Sequence, residues 1–177
     1  GRAVLAVAIG ILWGSPARAA DASLQPAGWD AELRLREAVD INPDPRIVEI
    51  NLQARVANVD LGNGQKVDAW TYDGGLPGPL IRTKVGDRLI VHFTNQLPAP
   101  TTVHWHGIRL PIAMDGVPGI SQPPVRKGAG FTYDFTVGDA GLYWYHPHVS
   151  SAEQVGFGLY GPLLVEDPEE KARLGVT

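Results

Sequence analysis

From Val48 to Val56 every second side chain is apolar, with Glu49, Asn51, Gln53 and Arg55 between them. Successive side chains of an extended strand point to opposite faces, so this two-residue period describes a strand half buried against a core. Comparable segments recur between turn signals. Asn63-Gly64 marks a hairpin turn into Val67 to Tyr72. Leu76-Pro77-Gly78-Pro79 turns the chain into Leu80-Ile81-Arg82, and Val85-Gly86-Asp87 turns it into Arg88 to Asn95. Further strands are predicted over Thr102 to Leu110, Phe131 to Val137, Leu142 to His146 and Gly156 to Glu166, with Met114 to Gly130 a loop rich in glycine and proline. Short strands at regular spacing, separated by turns, predict an all-β antiparallel sandwich or barrel. Asp167-Pro168-Glu169-Glu170 then opens a short C-terminal helix, with a capping acid, proline at the first helical position and acids in the first turn.

Composition narrows what such a body can do. The chain has 177 residues, 44% hydrophobic and 19% charged, which suits one globular domain with a self-sufficient core. It contains no cysteine, so thiolate chemistry and disulfide cross-links are excluded. A net charge of −4 and the lack of any basic run exclude a nucleic-acid surface. Ala3 to Trp13 is an apolar run too short for an ordinary membrane span, and the small-x-small pattern of Ala17 and Ala19 follows it. Residues 1–20 are read as the remnant of an export signal, which predicts a periplasmic or secreted protein with no transmembrane span in its mature chain. Without those residues, which carry Arg2 and Arg18 and no acid, 13 basic residues face 19 acidic ones and the charge is −6. Residues 21–45 read as a loop with a short strand at Glu32 to Arg36 and a break at Asn42-Pro43-Asp44-Pro45. Residues 46–167 make the domain, and 168–177 the start of a linker to a further domain.

Four histidines in two triplets carry the chemistry: His104-Trp105-His106 and His146-Pro147-His148. On a strand, each triplet aims two imidazoles at one face and the middle residue at the other, so Trp105 is expected in the core. Proline at 147 also biases His146 towards an extended backbone, which stiffens that ligand. Two such strands side by side would offer four nitrogen ligands to one small space. Imidazole suits copper, zinc, iron and nickel, so the clusters point to a metal before they identify one. A solvated polar face is the alternative for a single triplet, and two triplets set among aromatic residues weigh against it. His92 stands alone among Leu89, Ile90, Val91 and Phe93 and reads as an ordinary strand residue. Tyr143, Trp144 and Tyr145 read as braces of the core, and Arg82, Arg88 and Arg109 as exposed strand residues.

These motifs, with Met114-Asp115-Gly116-Val117-Pro118-Gly119 between them and Tyr143-Trp144-Tyr145 before the second triplet, resemble the first cupredoxin domain of multicopper oxidases. Leu76 to Arg82, Val85-Gly86-Asp87 and Gly158 to Asp167 are similar to that family's turns and closing strand, and the likeness covers roughly residues 46–168. The resemblance implies a Greek-key sandwich or barrel of cupredoxin type. It implies copper as cofactor, in a trinuclear cluster that reduces O₂ to water while a phenol, an aromatic amine or Cu(I) is oxidised. By the motif match, His104 would ligate the type 2 copper, and His106, His146 and His148 the type 3 pair. The remaining ligands and the thiolate of the type 1 centre would come from a C-terminal cupredoxin domain or a neighbouring subunit, because a chain without cysteine cannot build that centre.

Asp115 has two readings. Asp-Gly is a common turn dipeptide, whereas in the resembling family an acid here helps deliver protons to reduced oxygen, which makes Asp115 a candidate proton relay. Two other functions stay open: a copper-binding or scaffold cupredoxin module of the periplasm with no turnover, and a zinc or iron hydrolase using His-x-His. The latter usually enlists a carboxylate ligand.

Overall fold

The computed structural model of the protein describes residues 34–61 and 64–175. The export-signal reading of residues 1–20 lies outside them, as do Glu32 and Leu33 of the expected short strand. Arg34 to Arg36 form no strand; a parallel bridge from Glu37 to Leu80, a hydrogen bond from Arg36 to the Tyr72 carbonyl and the Glu37–Arg82 ion pair join residues 36–37 to the sheets.

The alternating segment becomes β1 (Ile47–Asp60), which pairs antiparallel with β2 (Lys66–Tyr72); Asn63 of the expected turn lies outside the described residues. β3 (Ile81–Lys84), β4 (Arg88–Asn95), β5 (His104–His106), β6 (Gly130–Thr136), β7 (Gly141–His146) and β8 (Gly161–Glu166) follow. They form two sheets of four strands, in the orders β2-β1-β4-β6 and β3-β8-β7-β5. The all-β sandwich is as expected, but the sheets are mixed, not antiparallel throughout. β1 pairs with β4, and β3 with β8, in parallel. The cause is topological: each strand from β3 to β7 lies in the other sheet from the strand before it, so apart from β1–β2 and β7–β8 the neighbours within a sheet are not consecutive in the chain.

Several boundaries depart from the sequence pattern. Ile50, Leu52 and Ala54 face the core as predicted, but Val56 is 43% exposed. It lies beyond Ala54, where β1 loses its pairing to β4 and continues beside β2 alone. The strand expected over Thr102 to Leu110 is reduced to three residues, because Gly107 turns the chain at φ +88°. The last strand begins at Gly161 and not at Gly156; before it, Ser151–Gly156 form a one-and-a-half-turn helix, α1, too short to show a periodic pattern. The closing helix α2 (Glu170–Leu174) starts later than expected, although Asp167 caps it by accepting the Glu169 N–H at 2.9 Å. Among the described residues, no helix is long and apolar enough to cross a membrane.

The core fills the space between the sheets. Leu89, Val91, Phe93, Tyr133 and Phe135 approach it from one side, and Ile81, Trp105, Tyr145, Leu163 and Val165 from the other. Trp105 is fully buried and meets Tyr133 and Phe135 at 5.4 Å and Tyr145 at 5.9 Å between ring centroids. Truncating a buried ring of this size costs about 3–5 kcal/mol in typical cores. Tyr145 is held as firmly, its hydroxyl donating to the Pro79 carbonyl at 2.6 Å. Gly161 on the adjacent strand leaves room for that ring: a Cβ there would lie 2.2 Å from the Tyr145 hydroxyl. The ring cannot swing aside, so Gly161→Ala is expected to destabilise the domain by about 1–3 kcal/mol through overpacking. A urea unfolding curve with a lower midpoint and unchanged slope checks this; an unshifted midpoint refutes it.

Candidate metal centre

β5 lies antiparallel to β7 with His104 opposite His146, Trp105 opposite Tyr145 and His106 opposite Trp144. Alternation then divides the two strands cleanly. Trp105 and Tyr145 go into the core, both fully buried, while His104, His106, Trp144 and His146 share the outer face. The chain leaves β7 at His146, and the following loop carries His148 back over the same face. That loop is pinned from several directions. The His148 N–H donates to Thr102 Oγ1 at 3.1 Å, and Ser151 Oγ donates to the Pro147 carbonyl at 2.6 Å. Gln154 of α1, 2% exposed, accepts from Thr101 Oγ1 at 2.7 Å and donates to the Pro100 carbonyl at 3.0 Å. Thr101, Thr102 and Gln154 were not legible as site residues, because their role is to lock a loop onto a strand distant in sequence.

The four imidazoles converge. Centroid separations from His104 are 5.8 Å to His106, 5.2 Å to His146 and 4.2 Å to His148. One nitrogen each from His104, His146 and His148 lie within 4.8 Å of one another. His106 joins through its Nδ1, 3.2 Å from His146 Nε2. Backbone acceptors set the tautomers of two rings. His104 Nδ1 faces the Asp115 carbonyl at 2.8 Å and the Asp115 carboxylate at 3.1 Å, so it carries the proton and leaves Nε2 as a lone pair. His146 Nδ1 donates to the Pro147 carbonyl at 3.0 Å, with the same result.

Burial adjusts the charge state. Desolvation, reinforced by its histidine neighbours, holds His146 down to about 4, against the opposing effect of the Pro147 carbonyl. His148 is lowered as well, by desolvation first and by His104 next. These two rings are therefore neutral at pH 7, the form in which imidazole binds a metal.

Asp115 sits where the sequence placed an acid near the cluster, but its nearest contact to His104 is its backbone carbonyl. The following residue explains the fit: Gly116 adopts φ +71°, and a Cβ on it would lie 1.9 Å from the Val103 carbonyl. Only glycine lets this loop rest on the backbone of the segment entering β5. The carboxylate stands on the far side of the His104 ring from its free nitrogen. The inward donor set is thus all imidazole, which fits copper better than a hydrolytic zinc site with a carboxylate ligand.

The remaining expectations divide. His92 lies on the outer face of β4, bonded to Glu49 at 2.7 Å and Thr132 at 3.2 Å, away from the cluster. Arg82, Arg88 and Arg109 are exposed and ion-paired with Glu37 and Glu166, Asp134, and Asp139 respectively, although Arg109 lies past the end of β5. Tyr145 braces the core as expected, and Tyr143 packs partly against it. Trp144 does not: it is 37% exposed and stacks on His146 at 4.0 Å and His106 at 5.1 Å. Its position two residues before His146 was the available signal, because that spacing puts both on one face.

Comparison with known proteins agrees with the site. A family model described as multicopper oxidase matches residues 53–170. Copper resistance protein A of Pseudomonas syringae pv. tomato is 48% identical over 106 residues, covering 60% of this chain and 17% of that protein. Multicopper oxidase MmcO of Mycobacterium tuberculosis is 47% identical over 125 residues, covering 71% and 24%. This chain thus spans less than a quarter of the length of either relative. Among solved structures, a multi-copper oxidase from Pseudomonas thermotolerans aligns with a TM-score of 0.66 at 51% identity, over 68% of this chain and 30% of that one. A multicopper oxidase from Campylobacter jejuni aligns with a TM-score of 0.70 at 32% identity, over 76% and 29%. With two thirds of its length matched and its histidines gathered on one sheet edge, the chain belongs to the multicopper oxidase family, as a cupredoxin-like domain whose histidine cluster suits copper.

Proposed function

We propose that this chain is the N-terminal domain of an exported multicopper oxidase and supplies four imidazoles to a trinuclear copper cluster. A C-terminal cupredoxin domain or a neighbouring subunit completes the cluster. The observation that carries this reading is the convergence of the four rings, three on the outer face of β5 and β7 and His148 from the loop after β7, with the Nε2 atoms of His104 and His146 left as lone pairs by the carbonyls at their Nδ1 atoms. His104 would hold the type 2 copper, and His106, His146 and His148 the type 3 pair. The 3.2 Å approach of His106 Nδ1 to His146 Nε2 supports a shared ion.

Copper bound here would supply the redox chemistry that reduces O₂ to water. The chain's own residues orient and feed that chemistry. The Asp115 and Pro147 carbonyls fix two ring tautomers, and burial keeps His146 and His148 neutral. Asp115, whose side chain is 32% exposed, can take protons from solvent and hold them beside His104, which suits a reaction that consumes protons. Electrons must arrive from a thiolate copper site elsewhere, since this chain has no cysteine. The reductant is a phenol, an aromatic amine or Cu(I), in keeping with relatives named laccase and copper resistance protein. Residues 46–167 form the domain, 168–177 begin a linker, and residues 1–20 direct export to the periplasm or beyond.

Metal analysis and electron paramagnetic resonance of the purified chain test the reading. Copper uptake is expected, lost in a His104→Ala/His146→Ala variant, with no O₂ consumption when a phenol is added. Zinc retained in preference to copper refutes the copper assignment, and enzyme-like O₂ consumption refutes the need for a partner. In the intact oxidase, Asp115→Asn is expected to slow O₂ reduction on the order of 10²-fold. Copper content should stay unchanged, because the backbone carbonyl still holds His104. Unaltered turnover rejects the proton role.

A further inference from the structure

We infer that Trp144 is a positioning residue of the histidine cluster: its indole holds the rings of His146 and His106 in the mutual setting that lets one cation engage both. The inference rests on the metal reading of the site and adds to it a residue outside the ligand set.

The register places Trp144 at a corner of the cluster. It lies directly opposite His106 across the β5–β7 ladder and two residues before His146 along β7. From there one ring reaches both imidazoles. It stacks on His146 at 4.0 Å with planes 30° apart, and on His106 at 5.1 Å with planes 35° apart. His148 covers the His146 ring as well, at 5.5 Å and 21°. His106 is less restrained. Among the described residues its ring hydrogen-bonds only to His146 Nε2, the atom with which it would share an ion. A second-sphere hydrogen bond normally orients a metal-bound histidine. His106 has none to the protein frame, and the indole face stands in that place.

Exposure argues in the same direction. Trp105 and Tyr145, the neighbouring large rings, are fully buried, whereas Trp144 remains 37% exposed and Leu142, two residues earlier on the same face, is 76% exposed. Trp144 also borders an open apolar hollow of about 470 Å³ with Leu35, Pro77, Tyr160 and Pro162. The ring is thus only partly withdrawn from water, and its aromatic contacts are with the two imidazoles. Aromatic stacking sets a preferred plane, not only a volume. A side chain of similar bulk without a ring therefore cannot replace it.

The test compares the full chain with Trp144→Phe, which keeps a stacking face, and with Trp144→Leu and Trp144→Met, which keep apolar bulk alone. In metal-free protein, the His146 ring protons are expected to shift downfield in the nuclear magnetic resonance spectra of the leucine and methionine variants, having lost the shielding of the indole. Cu(II) affinity, measured by chelator competition, is expected to fall about tenfold in those two variants with an altered paramagnetic resonance spectrum. The phenylalanine variant should stay within about threefold of wild type, and unfolding midpoints should be similar throughout. Equal affinity and spectra in all four proteins overturn the role of Trp144 while leaving the metal site standing. So does an equal loss in all three variants that follows a drop in unfolding midpoint, since Trp144 then only packs. Wild-type chain that takes up no copper overturns the metal reading itself, and this inference with it.

Discussion

The antiparallel pairing of β5 with β7 carries both the stability and the chemistry of this domain. Each strand alternates, so the residues that anchor it and the residues that act belong to the same few positions. Trp105 and Tyr145 lock the pair into the core, and His104, His106 and His146 are thereby held on the other face. A register slip of one residue would exchange the two sets, placing imidazoles in an apolar core and the large rings in water. The energy of the buried aromatic cluster thus also specifies the position of these histidines.

A preformed set of imidazoles has a physical cost. Nitrogen lone pairs turned towards one another repel, and a protonated ring among them would be badly placed. The fold answers this with burial, which disfavours the charged form of His146 and His148, and with carbonyls that take up the ring protons of His104 and His146. The Asp115 and Pro147 carbonyls come from tight turns beside the strands, and the Gly116 turn reaches its place only because nothing projects towards the Val103 carbonyl. The ligand geometry is therefore set before any ion arrives, which reduces the reorganisation needed to bind one.

Much of this was visible in the residues. The two-residue period around Ile50 and Leu52 and the break at Val85-Gly86-Asp87 are local signals, and each produced the predicted element. The first His-x-His triplet, on β5, likewise required Trp105 to point inward, whereas the second stays on a strand only to His146, and Pro147 and His148 lie in the loop beyond it. The misses have one source. The helix Ser151–Gly156 is too short for periodicity to reveal and is held by Gln154 reaching Thr101. An aromatic run such as Tyr143-Trp144-Tyr145 suits a core, whereas the register opposite His106 sends Trp144 outward. Val56 reads as buried by period and is exposed because its neighbouring strand has ended.

The amino-acid order by itself determined which segments would be strands, which turns would join them and which four side chains could bind a metal, because these follow from backbone geometry and side-chain chemistry over a few residues. Only the tertiary structure decided that the two triplets lie side by side, that β1 meets β4 and β3 meets β8 in parallel, and that the Asp115 carbonyl is the partner of His104. Those choices depend on how strands far apart in the chain share one core, and packing between distant segments leaves no local trace in the sequence.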